Sequence, residues 1–185
     1  MNRTHRAWTL AVCATLLLAV GAPRAQTPAK PKHVQFKVSV TPADPFSESN
    51  AASARGKFEV RRGETFRVVI EGVPERNWHT YPIHKHTPEQ STAQLSHVTL
   101  KSSKDFASLV PVGESEPELV TLPGNLGKAY EYEGPFTWTM EVLARPEASP
   151  GEASLDLEIS LQACDPYRCV QEKHTLNVPV RVSSQ

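Results

Sequence analysis

Near its end the chain reads Leu155-Asp156-Leu157-Glu158-Ile159-Ser160-Leu161-Gln162-Ala163-Cys164, then Asp165-Pro166-Tyr167-Arg168, then Cys169, and after a short polar stretch Leu176-Asn177-Val178-Pro179-Val180-Arg181-Val182. Apolar and polar residues alternate on both sides of the loop. That is the period of a β-strand with one buried face, so the segment predicts two strands closed by a turn. Aspartate opens such turns and a proline after it presets φ.

The same period recurs upstream. Val34, Phe36, Val38 and Val40 alternate with polar residues, and so do Phe136, Trp138, Met140 and Val142. Phe58 and Val60, the turn at Arg62-Gly63, and then Phe66, Val68 and Ile70 suggest a hairpin. Gln94 to Lys101 and Leu119 to Leu122 read as further strands, the latter before the turn Pro123-Gly124-Asn125. No stretch offers an amphipathic helix with caps. Short strands separated by turn signals predict an all-β chain, an immunoglobulin-like antiparallel β-sandwich. Pro179 lacks an N–H, which puts the last strand at an edge or leaves it paired there on one side.

Arg3, His5 and Arg6 precede an apolar run from Ala7 to Val20, followed by small residues up to Ala25. This is the pattern of a secretory signal peptide, and the run is short of the roughly 20 residues of a membrane span. Residues 1–25 are therefore expected to be removed, 26–32 to form a flexible lead-in, and 33–185 to form the domain. Loss of Arg3, Arg6 and Arg24 from the 20 basic and 20 acidic residues leaves 17 against 20, a formal charge of −3. No basic stripe stands out, so nucleic acid is not an expected partner. With no second long apolar run, no membrane span is expected after signal cleavage, and the location is periplasmic or otherwise exported.

Cys164 and Cys169 are the cysteines left in the mature chain. An exported location is oxidising, so they are able to pair. As a staple the bond is weak, because closing a loop of about six residues is worth roughly 2 kcal/mol in the chain-entropy picture, against about 4.7 for 100 residues. Small exposed rings are also the reducible kind. Arg168 beside Cys169, with Lys173 nearby, favours a thiolate there, whereas Asp165 beside Cys164 opposes one. From residue types alone, a structural bridge and a redox pair both stand.

His79, His84 and His86 fall within eight residues, with His84 and His86 on one face if that stretch is a strand. No cysteine or carboxylate motif accompanies them, and neither a metal nor a cofactor is assigned. Trp78 reads as core, while Tyr81, Tyr130 and Tyr132 read equally as core or as the lining of a groove beside the cysteines. No phosphate loop or nucleophile elbow is present.

Several segments together resemble the N-terminal periplasmic domain of the thiol:disulfide interchange protein DsbD. They are Gln162-Ala163-Cys164 with a second cysteine close behind, Trp78-His79-Thr80-Tyr81 after a Gly-Val-Pro turn, and Gly127-Lys128-Ala129-Tyr130-Glu131-Tyr132-Glu133-Gly134. The resemblance covers roughly residues 33 to 182. It implies an immunoglobulin-like fold and a redox pair at Cys164 and Cys169. Such a pair takes electrons from a thioredoxin-like or DsbD-type membrane donor and passes them to oxidised periplasmic proteins, with Cys169 attacking the target.

The family shields its disulfide with an aromatic residue on a loop, and the matching stretch here is Pro123 to Lys128. Asn125 or Leu126 replaces the aromatic residue, so a cap would rest on Leu126. Where the family often has prolines after the second cysteine, this chain has Val170-Gln171-Glu172-Lys173. The chain ends at Gln185, where the family continues into membrane and thioredoxin-like domains, so a separate electron donor is expected. The competing expectation is an exported binding module whose disulfide stays closed.

Overall fold

The computed structural model describes residues 32–43 and 58–184. By its contacts the chain divides after Lys30, and everything described belongs to the unit Pro31–Gln185. The expected signal peptide and most of the lead-in lie outside the described residues, as do residues 44–57.

Twelve strands account for the described fold, with two short 3-10 turns at Thr92–Gln94 and Pro123–Asn125. One sheet is built from β1 (Val34–Pro42), β3 (Thr65–Pro74), β10 (Phe136–Ala144) and β6 (Phe106–Ser108) in that order, with β7 (Gly113–Glu114) also on β10. The second runs β2 (Phe58–Arg61), β12 (Cys169–Ser183), β11 (Gly151–Cys164) and β4 (His79–Thr80), with β5 (His97–Leu100) also on β11. A small hairpin joins β8 (Glu118–Thr121) to β9 (Lys128–Glu131). The immunoglobulin-like sandwich expected from the alternation is present.

Period two places the core. Every second residue of β10 is buried from Phe136 to Ala144, and Trp138, Met140 and Val142 face inward with Phe66, Val68 and Ile70 of β3. Leu155, Leu157, Ile159 and Leu161 of β11 and Val178, Val180 and Val182 of β12 meet them from the other sheet in one apolar cluster. Gly72 lets Phe136 lie flat against β3, since a Cβ there would stand 2.2 Å from the ring. Each such buried side chain is worth about 1.5–3 kcal/mol. A six-residue disulfide ring therefore adds no more than one core residue.

One expectation is corrected and another is met in its second form. Phe58–Arg61 and the strand after it do not form a hairpin. β2 crosses to the opposite sheet and pairs with β12 in parallel, Phe58 opposite Val180. The turn at Gly63 is real, with positive φ, but its N–H donates to Ala144 O. The apolar faces of the two segments meet across the core, the Phe58 and Phe66 rings 5.5 Å apart, instead of side by side. Pro179 takes the second of its two expected placements, since β12 runs between β11 and β2 and is not at an edge. Its described pairing with β2 begins one residue later at Val180, so Pro179 is paired on the β11 side.

The domain's beginning is tied down by charge. The His33 N–H donates to Glu172 at 2.6 Å, and His174 Nε2 lies 2.9 Å from the same carboxylate. Burial pushes the Glu172 carboxyl up, but the hydrogen bonds from His174 and the His33 N–H outweigh it and hold the group below its usual range. His33 in turn stacks on Trp78 at 3.5 Å.

Candidate functional site

β11 and β12 pair without interruption from Gly151 opposite Val182 to Cys164 opposite Cys169. The Asp165 N–H donates to Arg168 O at 2.9 Å, which leaves the cysteines as the next, non-hydrogen-bonded pair of the ladder. In such pairs the strands approach most closely, to about 4.5 Å between Cα atoms. Here the separation is 4.0 Å, shorter than the usual disulfide span, and the two sulfurs are bonded. Asp165 shapes the turn, its carboxylate accepting from the N–H groups of Tyr167 and Arg168. The Tyr167 N–H bond is the largest reason its carboxyl sits below the ordinary range, helped by the Arg168 N–H and guanidinium against a smaller opposing effect of burial.

The cysteines differ in exposure. Cys169 is open to solvent, and Cys164 is 2% exposed. Parity explains where both point. The inward residues of β11 are Leu155, Leu157, Ile159, Leu161 and Ala163, so Cys164 lies on the outer face of the sheet. It is buried there because β4 adds on its far side, with His79 opposite Cys164 and Thr80 opposite Ala163. His79 and Tyr81, two residues apart, share the face that carries the disulfide.

Tyr81 Oη stands 3.6 Å from Cys164 Sγ. The two-residue strand that positions it is held from several sides. Thr80 Oγ1 donates to Gln162 O, and Thr80 exchanges both backbone hydrogen bonds with Tyr132. Ser96 Oγ donates to Tyr81 O, and Gln94 Nε2 reaches Tyr81 Oη at 3.5 Å. The stretch after Tyr81 is anchored by Glu114, which accepts from the N–H groups of Ile83, His84 and Lys85.

Behind Tyr81 lies a charge-poor pair. His79 Nε2 is 3.4 Å from Tyr81 Oη and 3.6 Å from Glu131 Oε2, and the Glu131 side chain is 4% exposed. The second distance is ion-pair reach, longer than a hydrogen bond. Burial, with the nearby Glu133 charge, pushes the Glu131 carboxyl up to about 7. Burial also lowers His79, against the pull of Glu133 and Asp165. The Tyr81 phenol is raised to about 12 by burial and by Glu131. All three shifts favour the neutral form, so Tyr81 keeps its O–H to donate.

The remaining candidates fall in different places. Arg168 lies beside the exposed cysteine, but its Nε is 3.6 Å from Asp165 and its guanidinium is 5.7 Å from the Trp78 ring centroid, so its charge is shared. Lys173 is four residues further along β12, roughly 13 Å at 3.3 Å per residue, too far to support a thiolate at Cys169. Trp78, read as core, is half-buried between His33 and Arg168. Tyr130 is half-buried with the Lys85 ammonium 4.5 Å above its ring. Tyr132 is core, stacked on Phe136 with its hydroxyl donating to Ser115 O.

Leu126 is 69% exposed at the tip between β8 and β9, and the side chain of Asn125 lies outside the described residues. Because Cys169 is exposed, the outer half of the disulfide is open whatever Leu126 touches. His84 and His86 are on a loop, not a strand. His84 Nε2 bonds Val112 O, and His86 Nδ1 bonds His84 O.

Sequence reading missed Glu131. The alternation Tyr130, Tyr132 puts the two tyrosines on one face of a strand and Glu131 on the other. β9 instead buries Ala129 and Glu131 on one face, and the chain turns in again at Tyr132 to pair with Thr80. A lone carboxylate between two tyrosines was the available signal.

The sequence matches no protein-family model and no curated protein. Among solved structures it is similar to the N-terminal periplasmic domain of ScsB from Proteus mirabilis, at 14% identity and a TM-score of 0.48, covering 83% of this chain and 49% of that one. A family 123 glycoside hydrolase from Clostridium perfringens aligns at 13% identity and a TM-score of 0.34, over 80% of this chain and 27% of the other. AggA, the major subunit of aggregative adherence fimbriae type I from Escherichia coli, aligns at 8% and 0.33, over 82% and 97%. The chain thus spans about half the length of the ScsB chain. Among the described residues no helix is long and apolar enough to cross a membrane.

Proposed function

We propose that this chain is a periplasmic thiol-disulfide exchange module that relays reducing equivalents through Cys164 and Cys169. Its donor is a thioredoxin-like protein or a DsbD-type membrane protein, and its acceptors are oxidised periplasmic proteins. The observation that carries the reading is the unequal burial of a disulfide that ties residues already paired by the ladder: Cys169 is exposed, and Cys164 is buried against the Tyr81 hydroxyl.

The steps follow ordinary exchange. A donor thiolate attacks Cys169 Sγ, the S–S bond breaks, and its electron pair leaves on Cys164 Sγ. A second donor thiol then attacks the mixed disulfide and releases Cys169 as a thiolate, so the donor is oxidised and the pair reduced. Towards a target, Cys169 Sγ attacks the target disulfide and Cys164 resolves the mixed disulfide, restoring the 164–169 bond. No cofactor enters these steps. Tyr81 donates to the buried sulfur when it carries charge, and charge-assisted bonds of this kind are worth about 1.5–3 kcal/mol.

Incubation with a reduced thioredoxin-like protein, followed by thiol labelling and gel mobility, tests the relay. The expected result is a shift by two labels in wild type. A chain that stays unlabelled is a binding module with a closed structural bridge.

A further inference from the structure

Reduction of the pair needs a proton at each sulfur. Cys169 is exposed and exchanges protons with water, whereas Cys164 is shut behind β4 and Tyr81. Its polar neighbour is Tyr81 Oη at 3.6 Å, and Tyr81 Oη faces His79 Nε2 at 3.4 Å. The same Nε2 faces Glu131 Oε2 at 3.6 Å. A proton received on that nitrogen from the carboxyl is thus the one presented to the phenol, with no turn of the ring.

We propose that Glu131, His79 and Tyr81 form the proton store of the buried sulfur. When the S–S bond breaks and Cys164 Sγ leaves with the electron pair, the Tyr81 O–H passes its proton to sulfur. In the same movement His79 Nε2, closing on the carboxyl from 3.6 Å, takes the Glu131 proton on its lone pair and hands it to Tyr81. When Cys164 resolves a mixed disulfide, its S–H proton returns along the same chain to Glu131. Tyr81 is the catalytic member because it touches the reacting atom, and His79 and Glu131 act through it. The inference rests on the exchange role proposed above.

The groups around the chain do not suppress this store. Glu118 stands opposite Glu131 across β8, and Glu133 follows it. The Glu133 charge favours a protonated carboxyl. Asp165, across the turn, acts on His79 but is itself paired with Arg168. Burial places the Glu131 transition at about 7, so the store is half full at neutral pH.

The test uses dithiothreitol as the reductant, with the rate expressed per dithiothreitol thiolate between pH 5 and 9. If no protein partner exchanges with the chain, the relay reading fails while this measurement still reports on the store. Wild type is expected to slow about tenfold as pH rises through 7, a modest general-acid effect. Glu131→Gln, of the same shape, should be flat, and Tyr81→Phe should be slow at every pH without an inflection. As a measurement needing no variant, the Glu131 carboxyl carbon resonance should titrate near 7 in the oxidised protein and at a different pH in the reduced one. The same inflection in wild type and Glu131→Gln, or a carboxyl titration indifferent to redox state, would overturn the proposal.

Discussion

Cys164→Ser should trap a disulfide-bonded partner rapidly and Cys169→Ser should not. In the first variant the remaining sulfur belongs to an exposed residue at the closed end of a hairpin. In the second it belongs to a residue 2% exposed, behind β4 and Tyr81. Reaching Cys164 requires the β4 edge to open. If that local opening costs about 3 kcal/mol, well within the range of sub-global openings, trapping slows by about 10²-fold. Mixed-disulfide formation with an oxidised thioredoxin-like protein, followed on non-reducing gels, measures the ratio. Equal rates would mean that burial does not set the order of attack, and a reversed ratio would make Cys164 the attacker.

Glu131→Gln should change how stability depends on pH. Burial pushes the folded-state carboxyl up to about 7, against 4.5 for a free glutamate side chain. A raised pKa contributes fully below the unfolded value and is lost as pH rises through the folded one. Wild type should therefore lose about 3 kcal/mol from this group between pH 4.5 and pH 8. Gln does not titrate, so the variant gains the same amount relative to wild type across that window. His79 works in the opposite direction, since its lowered pKa costs stability as pH falls below 6.5. That contribution is present in both proteins and drops out of their difference. Urea unfolding at pH 4.5 and 8 reads it, and parallel curves would show that Glu131 is not held protonated by the fold.

What the sequence shows well is the outcome of period two over long runs. β10, β11 and β12 each carry nine or more residues, and their alternation names the core before any coordinate does. The cysteine hairpin is legible for the same reason, since two phased strands and an Asp-Pro turn leave little choice of register. Period two says which face of a strand is buried, but not in which sheet the strand lies. Phe58 and Val60 therefore looked like half of a hairpin and instead belong to the other layer. β4 and β7 have two residues each, too few to carry a period.

The candidate site divides along the same line. Cys164 and Cys169 follow from local sequence, and Asp165 is found doing the turn-forming work its residue type suggests. Tyr81 and His79 stand beside Cys164 because β4 adds to an edge more than eighty residues away, which no local pattern encodes. Glu131 is further removed, reaching the site through the pairing of Tyr132 with Thr80. The expectation of a cap at Leu126 rested on residue type in the loop alone, and Leu126 is exposed at its tip.

The reduction potential of the 164–169 pair, set against glutathione or thioredoxin buffers, tests the relay most directly. A value above about −300 mV, within reach of thioredoxin at about −270 mV, is expected of a pair that exchanges electrons. A value well below −300 mV, the range of inert structural bonds, would contradict it.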